Sequence, residues 1–138
     1  MPAPDAITSV LRQWLIKADN DLKTAELAIK AGADCPTDTA CFHAQQCAEK
    51  CLKALLIKLG VEFPFTHDLG ALNLLLPPGF RPDFTPEQAD TLTRYATVTR
   101  YPGDYEPLSL DEAKDAVKVA RRIRDEIRLK LSPDILEA

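Results

Sequence analysis

Apolar residues recur at three- and four-residue intervals along nearly the whole chain, and each such stretch is closed by a glycine or a proline. That period places one apolar stripe on a helix, so each stretch must hide a stripe against another. The first runs from about Ser9 to Ala31 through Val10, Trp14, Ile16, Ala18, Leu22, Ala25 and Ile29, with Ser9 as N-cap and Gly32 as the terminator. The second runs from about Thr39 to Leu59 through Phe42, Cys47, Leu52, Leu55 and Leu56, and Gly60 ends it. A short third helix, capped by Thr66 or His67, carries Leu69, Leu72, Leu75 and Leu76 up to Pro77 and Pro78. Thr85, Pro86 and Glu87 supply a cap, a first-turn proline and an acidic first turn, which predicts a fourth helix from Pro86 to about Arg100. Pro102 and Gly103 break it. Ser109 with Glu112 has capping-box spacing and opens a last helix through Ala113, Ala116, Val117, Ala120, Ile123, Ile127 and Leu131, stopped by Pro133.

No run alternates in the β manner, so the class is all-α: an up-and-down antiparallel bundle of four to five helices. The 138 residues suit a single domain, residues 1–138, with the bundle at about 9–131 and flexible ends. A net charge of -4 excludes a general phosphate-binding surface unless the basic residues are gathered on one side. Lys53 and Lys58 interrupt the most apolar run, so no membrane span is expected, and no secretory signal is legible near Met1. The expected location is cytoplasmic, with the four cysteines as reduced thiols.

The second helix reads Phe42-His43-Ala44-Gln45-Gln46-Cys47-Ala48-Glu49-Lys50-Cys51-Leu52-Lys53-Ala54-Leu55-Leu56, and Thr66-His67-Asp68-Leu69 follows. With Trp14, Ala18, Asp21 and Leu22 before them and Arg100-Tyr101-Pro102-Gly103-Asp104-Tyr105 after them, these motifs resemble the HEPN domain family over nearly the whole chain. The resemblance implies a helical bundle that forms homodimers and pairs with a minimal nucleotidyltransferase in toxin and antitoxin modules. It also implies a nucleotide or RNA ligand, since many members are metal-independent ribonucleases that use an Arg followed within a few residues by a His. Here Arg100 is followed by Asp104 and Tyr105 with no His, and the window after Arg94 holds none either. Metal-free RNA cleavage needs a group that exchanges protons near neutral pH, and a tyrosine with an ordinary pKa near ~10 is a poor base there. Arg100 can still clamp a phosphate through its donor fork. The resemblance further marks Tyr105 as a candidate for adenylylation.

Other constellations are weaker. Asp104 and Arg100 also read as a loop ion pair worth about 0–1 kcal/mol. His43, Cys47 and Cys51 share one helical stripe, but the spacing is unlike zinc knuckles and small-residue packing explains the thiols better; no metal or cofactor is expected. Glu49 and Lys53 read as an ordinary surface pair at i, i+4. His67 and Asp68 read as a helix start, while Gln46 and Lys50 are placed at the edge of a cleft between the second and fourth helices, near Arg94 and Arg100. Lys118, Arg121, Arg124 and Arg128 form either a solvated face or an RNA-binding stripe with Tyr95, Tyr101 or Tyr105 as stacking partners.

The expected function is a nucleotide- or RNA-binding component of a toxin and antitoxin type module, with Arg100, Arg94, Asp104, Tyr105, Gln46, Lys50 and His67 as ligand-contacting residues and no catalytic set. Two alternatives stand beside it: a metal-independent ribonuclease toxin, and a non-catalytic protein-interaction module.

Overall fold

Gly32 and Gly60 adopt left-handed backbone, with φ of 59° and 71°, and they follow the two long N-terminal helices, α1 (Pro4–Ile29) and α2 (Thr37–Lys58). No atom would crowd a Cβ at either position, so the requirement for glycine there is conformational. The computed structural model describes residues 4–97, 102–103 and 106–136, with backbone alone for Pro4, Asp5 and Asp134. After α2 come α3 (Leu69–Leu75), α4 (Pro86–Arg94), α5 (Leu110–Leu129) and the single turn α6 (Pro133–Leu136). Among the described residues there is no strand, and no helix is long and apolar enough to cross a membrane.

Helix α2 is the axis of the bundle, packed along α1 on one side and α5 on another. Its centre explains the position: Ala40, Cys41, Ala44, Cys47, Ala48, Cys51, Leu52, Ala54, Leu55 and Leu56 are all fully buried. Small side chains let neighbouring helices approach closely, and leucines fill the remaining space. Leu11, Leu15, Ala18, Leu22 and Ala25 of α1 join the same core, as do Ala113, Ala116, Ala120, Ile123 and Ile127 of α5. A single Leu55→Ala change in such a core costs about 2–5 kcal/mol.

The helix ends depart from the sequence reading where another signal outweighs the obvious one. Ser9 lies inside α1, which begins at Pro4, a residue whose fixed φ suits a first helical turn. Asp68 caps α3 in place of Thr66 or His67, its carboxylate accepting from the Ala71 amide at 3.1 Å. Thr85 and Gln88 close a reciprocal capping box on α4, but the helix ends at Arg94, well before Arg100. Ser109 accepts from the Glu112 amide at the start of α5. Pro133, expected as a stop, starts α6, whose Ile135 is buried in the core while its carbonyl accepts from Arg12 Nε at 3.3 Å.

Candidate functional site

The middle of α2 buries a carboxylate. Glu49 is 5% exposed, and each of its oxygens is engaged: Oε1 accepts from Gln45 Nε2 at 2.9 Å and from His67 Nδ1 at 2.7 Å, and Oε2 from Lys53 Nζ at 3.0 Å. Gln45, fully buried, accepts in turn from Gln46 Nε2 at 2.7 Å and also points its amide at the His67 carbonyl, 3.4 Å away. Burial opposes the charge on Glu49, but the hydrogen bonds from Gln45, His67 and Lys53 outweigh it and hold the carboxyl below its ordinary pKa. Glu49 is therefore an anion at neutral pH and can only accept, so Nδ1 of His67 carries the proton and donates. The other ring nitrogen, Nε2, meets no hydrogen-bond partner among the described residues, and the His67 side chain is 43% exposed.

The Lys53 ammonium lies over the rings of Phe63 and Phe65, 5.7 Å and 5.8 Å from their centroids, and is itself only 6% exposed. The surface pair expected at Glu49 and Lys53 is thus corrected: both charges are buried, because a helix packed on several sides has no free face at their positions. Two residues beyond His67, the Leu69 amide donates to Thr93 Oγ1 at 3.1 Å, which fastens the start of α3 to the end of α4.

A second buried carboxylate lies across the α1–α2 seam. Asp21 receives His43 Nδ1 at 2.8 Å on one oxygen and Lys50 Nζ on the other. Lys50 also lines a shallow depression with Gln13, Trp14 and Lys17. The cleft expected between α2 and α4 is corrected accordingly: Lys50 is bound to α1, Gln46 to its own helix, and Arg94 stands exposed at the end of α4. A cleft of about 420 Å³ opens instead between α4 and α5, lined by Glu87, Glu112 and Asp115 as well as Lys118 and Arg122. Tyr95, at its floor, is pushed up to a pKa of about 12, chiefly by burial, and the neighbouring Cys41 thiol is pushed up to about 12 for the same reason. Neither group ionises near neutral pH.

Most of the expected α5 stripe is occupied by α1: Arg121 pairs with Glu26, while Arg124 and Arg128 meet Asp19 at 2.9 Å and 3.4 Å. These three arginines are thus engaged by carboxylates of α1, an arrangement that neither sequence reading of the stripe anticipated. His43 is bound to Asp21, Cys47 and Cys51 are fully buried, and no group of three or more His, Cys, Asp or Glu side chains among the described residues is arranged to hold a metal ion. Arg100, Asp104 and Tyr105 lie outside the described residues. Of the seven expected ligand residues, His67 is thereby placed on a buried anchor. Glu49 and Gln45 carry that anchoring, as Asp21 does for Lys50, and all three were missed; the available signal was the run of polar residues Gln45, Gln46, Glu49, Lys50 and Lys53 among the apolar residues of the second helix.

The comparisons agree with one another. The model of the HEPN domain matches residues 11–130. Among solved structures, TT1696 from Thermus thermophilus is 31% identical with a TM-score of 0.72, covering 88% of this chain and 98% of its own. ST0689, an archaeal HEPN homologue, is 28% identical with a TM-score of 0.66 over the same shares. No curated protein matches.

Proposed function

The chain belongs to the HEPN domain family, and from that premise we propose that it is the nucleotide- or RNA-binding component of a toxin and antitoxin type module, paired with a minimal nucleotidyltransferase. In this reading it lacks ribonuclease activity of the usual Arg and His kind, because no His follows Arg100 or Arg94 at the required distance. The observation that carries the ligand role is the His67 imidazole, anchored through Nδ1 on buried Glu49 while its side chain stays 43% exposed. Holding two buried charges, Glu49 and Lys53, costs several kcal/mol of desolvation per ion before pairing, so stability alone is weak support for keeping them. Arg100, a few residues past α4 in the chain, supplies the phosphate clamp in this reading, with Arg94, Asp104 and Tyr105 near it in sequence.

The ribonuclease alternative draws on the same imidazole, since a carboxylate that fixes a histidine tautomer is also how a general base is oriented. One assay separates the two. Single-stranded RNA incubated with the protein in chelator is expected to be bound but left intact, and Arg100→Ala is expected to weaken binding about tenfold, the scale of one charge-assisted hydrogen bond. Metal-independent cleavage that disappears in His67→Asn would replace the binding reading with the catalytic one. Homodimer formation and pairing with a nucleotidyltransferase are part of this reading and are tested by light scattering and by co-purification with the product of an adjacent reading frame. A lone monomer in both would remove the paired role.

A further inference from the structure

The loop between α2 and α3 carries Phe65, which is 98% exposed. A phenylalanine left in water forgoes about 1.5–3 kcal/mol of burial, and its neighbour Phe63 does pack against the core. Phe65 is nonetheless held in place: the Lys53 ammonium lies over its ring, and the His67 ring meets it edge-on at 6.2 Å and 64°. Lys53 and His67 are both fastened to Glu49, so one buried carboxylate positions an open aromatic ring and an outward imidazole nitrogen side by side.

We propose that Phe65 and His67 dock one unpaired ribonucleotide, its base stacked on the open part of the Phe65 ring and its ribose 2′-hydroxyl hydrogen-bonded to Nε2 of His67. This rests on the RNA reading above and names what that ligand must offer. An aromatic ring stacks any base that is free of its partner strand, and duplexed bases have no such face to give. Nε2 meets no partner among the described residues, and the 2′-hydroxyl, which can both donate and accept, is the group that RNA has and DNA lacks. The site therefore selects single strands through one residue and ribose through the other. Glu49 and Lys53 act as positioning residues without touching the ligand.

The test uses the full chain and three labelled probes of one sequence: a single-stranded RNA, the same strand as DNA, and the RNA duplex, each followed by fluorescence anisotropy. Wild type is expected to prefer the single-stranded RNA. Phe65→Ala should weaken that binding about 5- to 150-fold, the range spanned by stacking one base on an aromatic ring, leave the duplex unchanged, and be rescued by Phe65→Tyr. His67→Asn, which keeps an amide N–H toward Glu49 but removes Nε2, should abolish the preference of RNA over DNA while single-stranded DNA binds as before. Circular dichroism checks that both variants keep their helices. If RNA binds wild type and both variants alike, the dock is wrong and the wider RNA reading stands. Phe65→Ala that alters the oligomeric state and leaves RNA affinity intact assigns the ring to a protein contact and overturns the dock as well. Wild type that binds none of the probes removes both readings together.

Discussion

Arg124 meets Asp19 at 2.9 Å across the α1–α5 face, and Lys53 meets Glu49 at 3.0 Å within α2. The distances match, but the surroundings do not: the Arg124 and Asp19 side chains are 28% and 36% exposed, those of Lys53 and Glu49 only 8% and 7%. Water screens the first pair and competes for it, so its making or breaking changes little. The second pair has left water on both sides and depends on its partners to offset that loss. Equal geometry thus marks a latch in one region and a held device in the other, and burial tells them apart.

Replacing single members should expose the contrast. Glu49→Ala leaves Lys53 buried without a counter-charge and is expected to cost about 3–5 kcal/mol in urea unfolding. A loss under about 1 kcal/mol would place the two regions in the same class. Removing both charges together, as Glu49→Leu with Lys53→Met, should recover much of that stability, since well-packed apolar replacements of buried pairs are commonly neutral or stabilising by about 1–4 kcal/mol. The double variant should still lose the RNA preference, because His67 has no anchor; stability and preference restored together would break the link between burial and function.

Titration separates the regions next. Glu49 has a folded pKa below its ordinary 4.5, so its contribution is present above that value and fades as pH falls through the folded pKa; urea midpoints should drop on acidification, and less so in Glu49→Gln. Cys41 and Tyr95 behave oppositely. Their folded pKa values of about 12 exceed the ordinary 9.0 and 10.0, so the stability they contribute is complete below about pH 9 and is lost as pH rises toward 12. Cys41→Ala should flatten the first part of that alkaline decline. The smallest effect belongs to Arg124→Ala, about 0–1 kcal/mol and smaller still in high salt, measured by the same unfolding curves.

The helical class and the order of elements were legible because periodicity and terminators act locally: Gly32, Gly60, Thr85 and Ser109 each do in the fold what their residue type suggests. Ser9 misled because a cap signal counts only where no better start lies upstream. The candidate site was legible at His67 and obscure at Glu49. Spacing i, i+4 with Lys53 is the same on a solvated helix as on a buried one, and only the packing of α1, α3 and α5 around α2 decides which it is. Lys50 went astray for a related reason, since its partner Asp21 lies on another helix, 29 positions away in the chain.

Asp21 has a consequence for how α1 and α2 come together. Both helices bury many small side chains, Ala18 and Ala25 on α1 and Ala40, Ala44, Cys47, Ala48 and Cys51 on α2. Side chains so small and so alike give little to distinguish one axial setting of the helices from another displaced by a turn, about 5.4 Å. Such a slide would carry the Asp21 carboxylate away from His43 and Lys50 and strand it in apolar surroundings. A single acid thereby serves as the key that lets the hairpin lock at one setting.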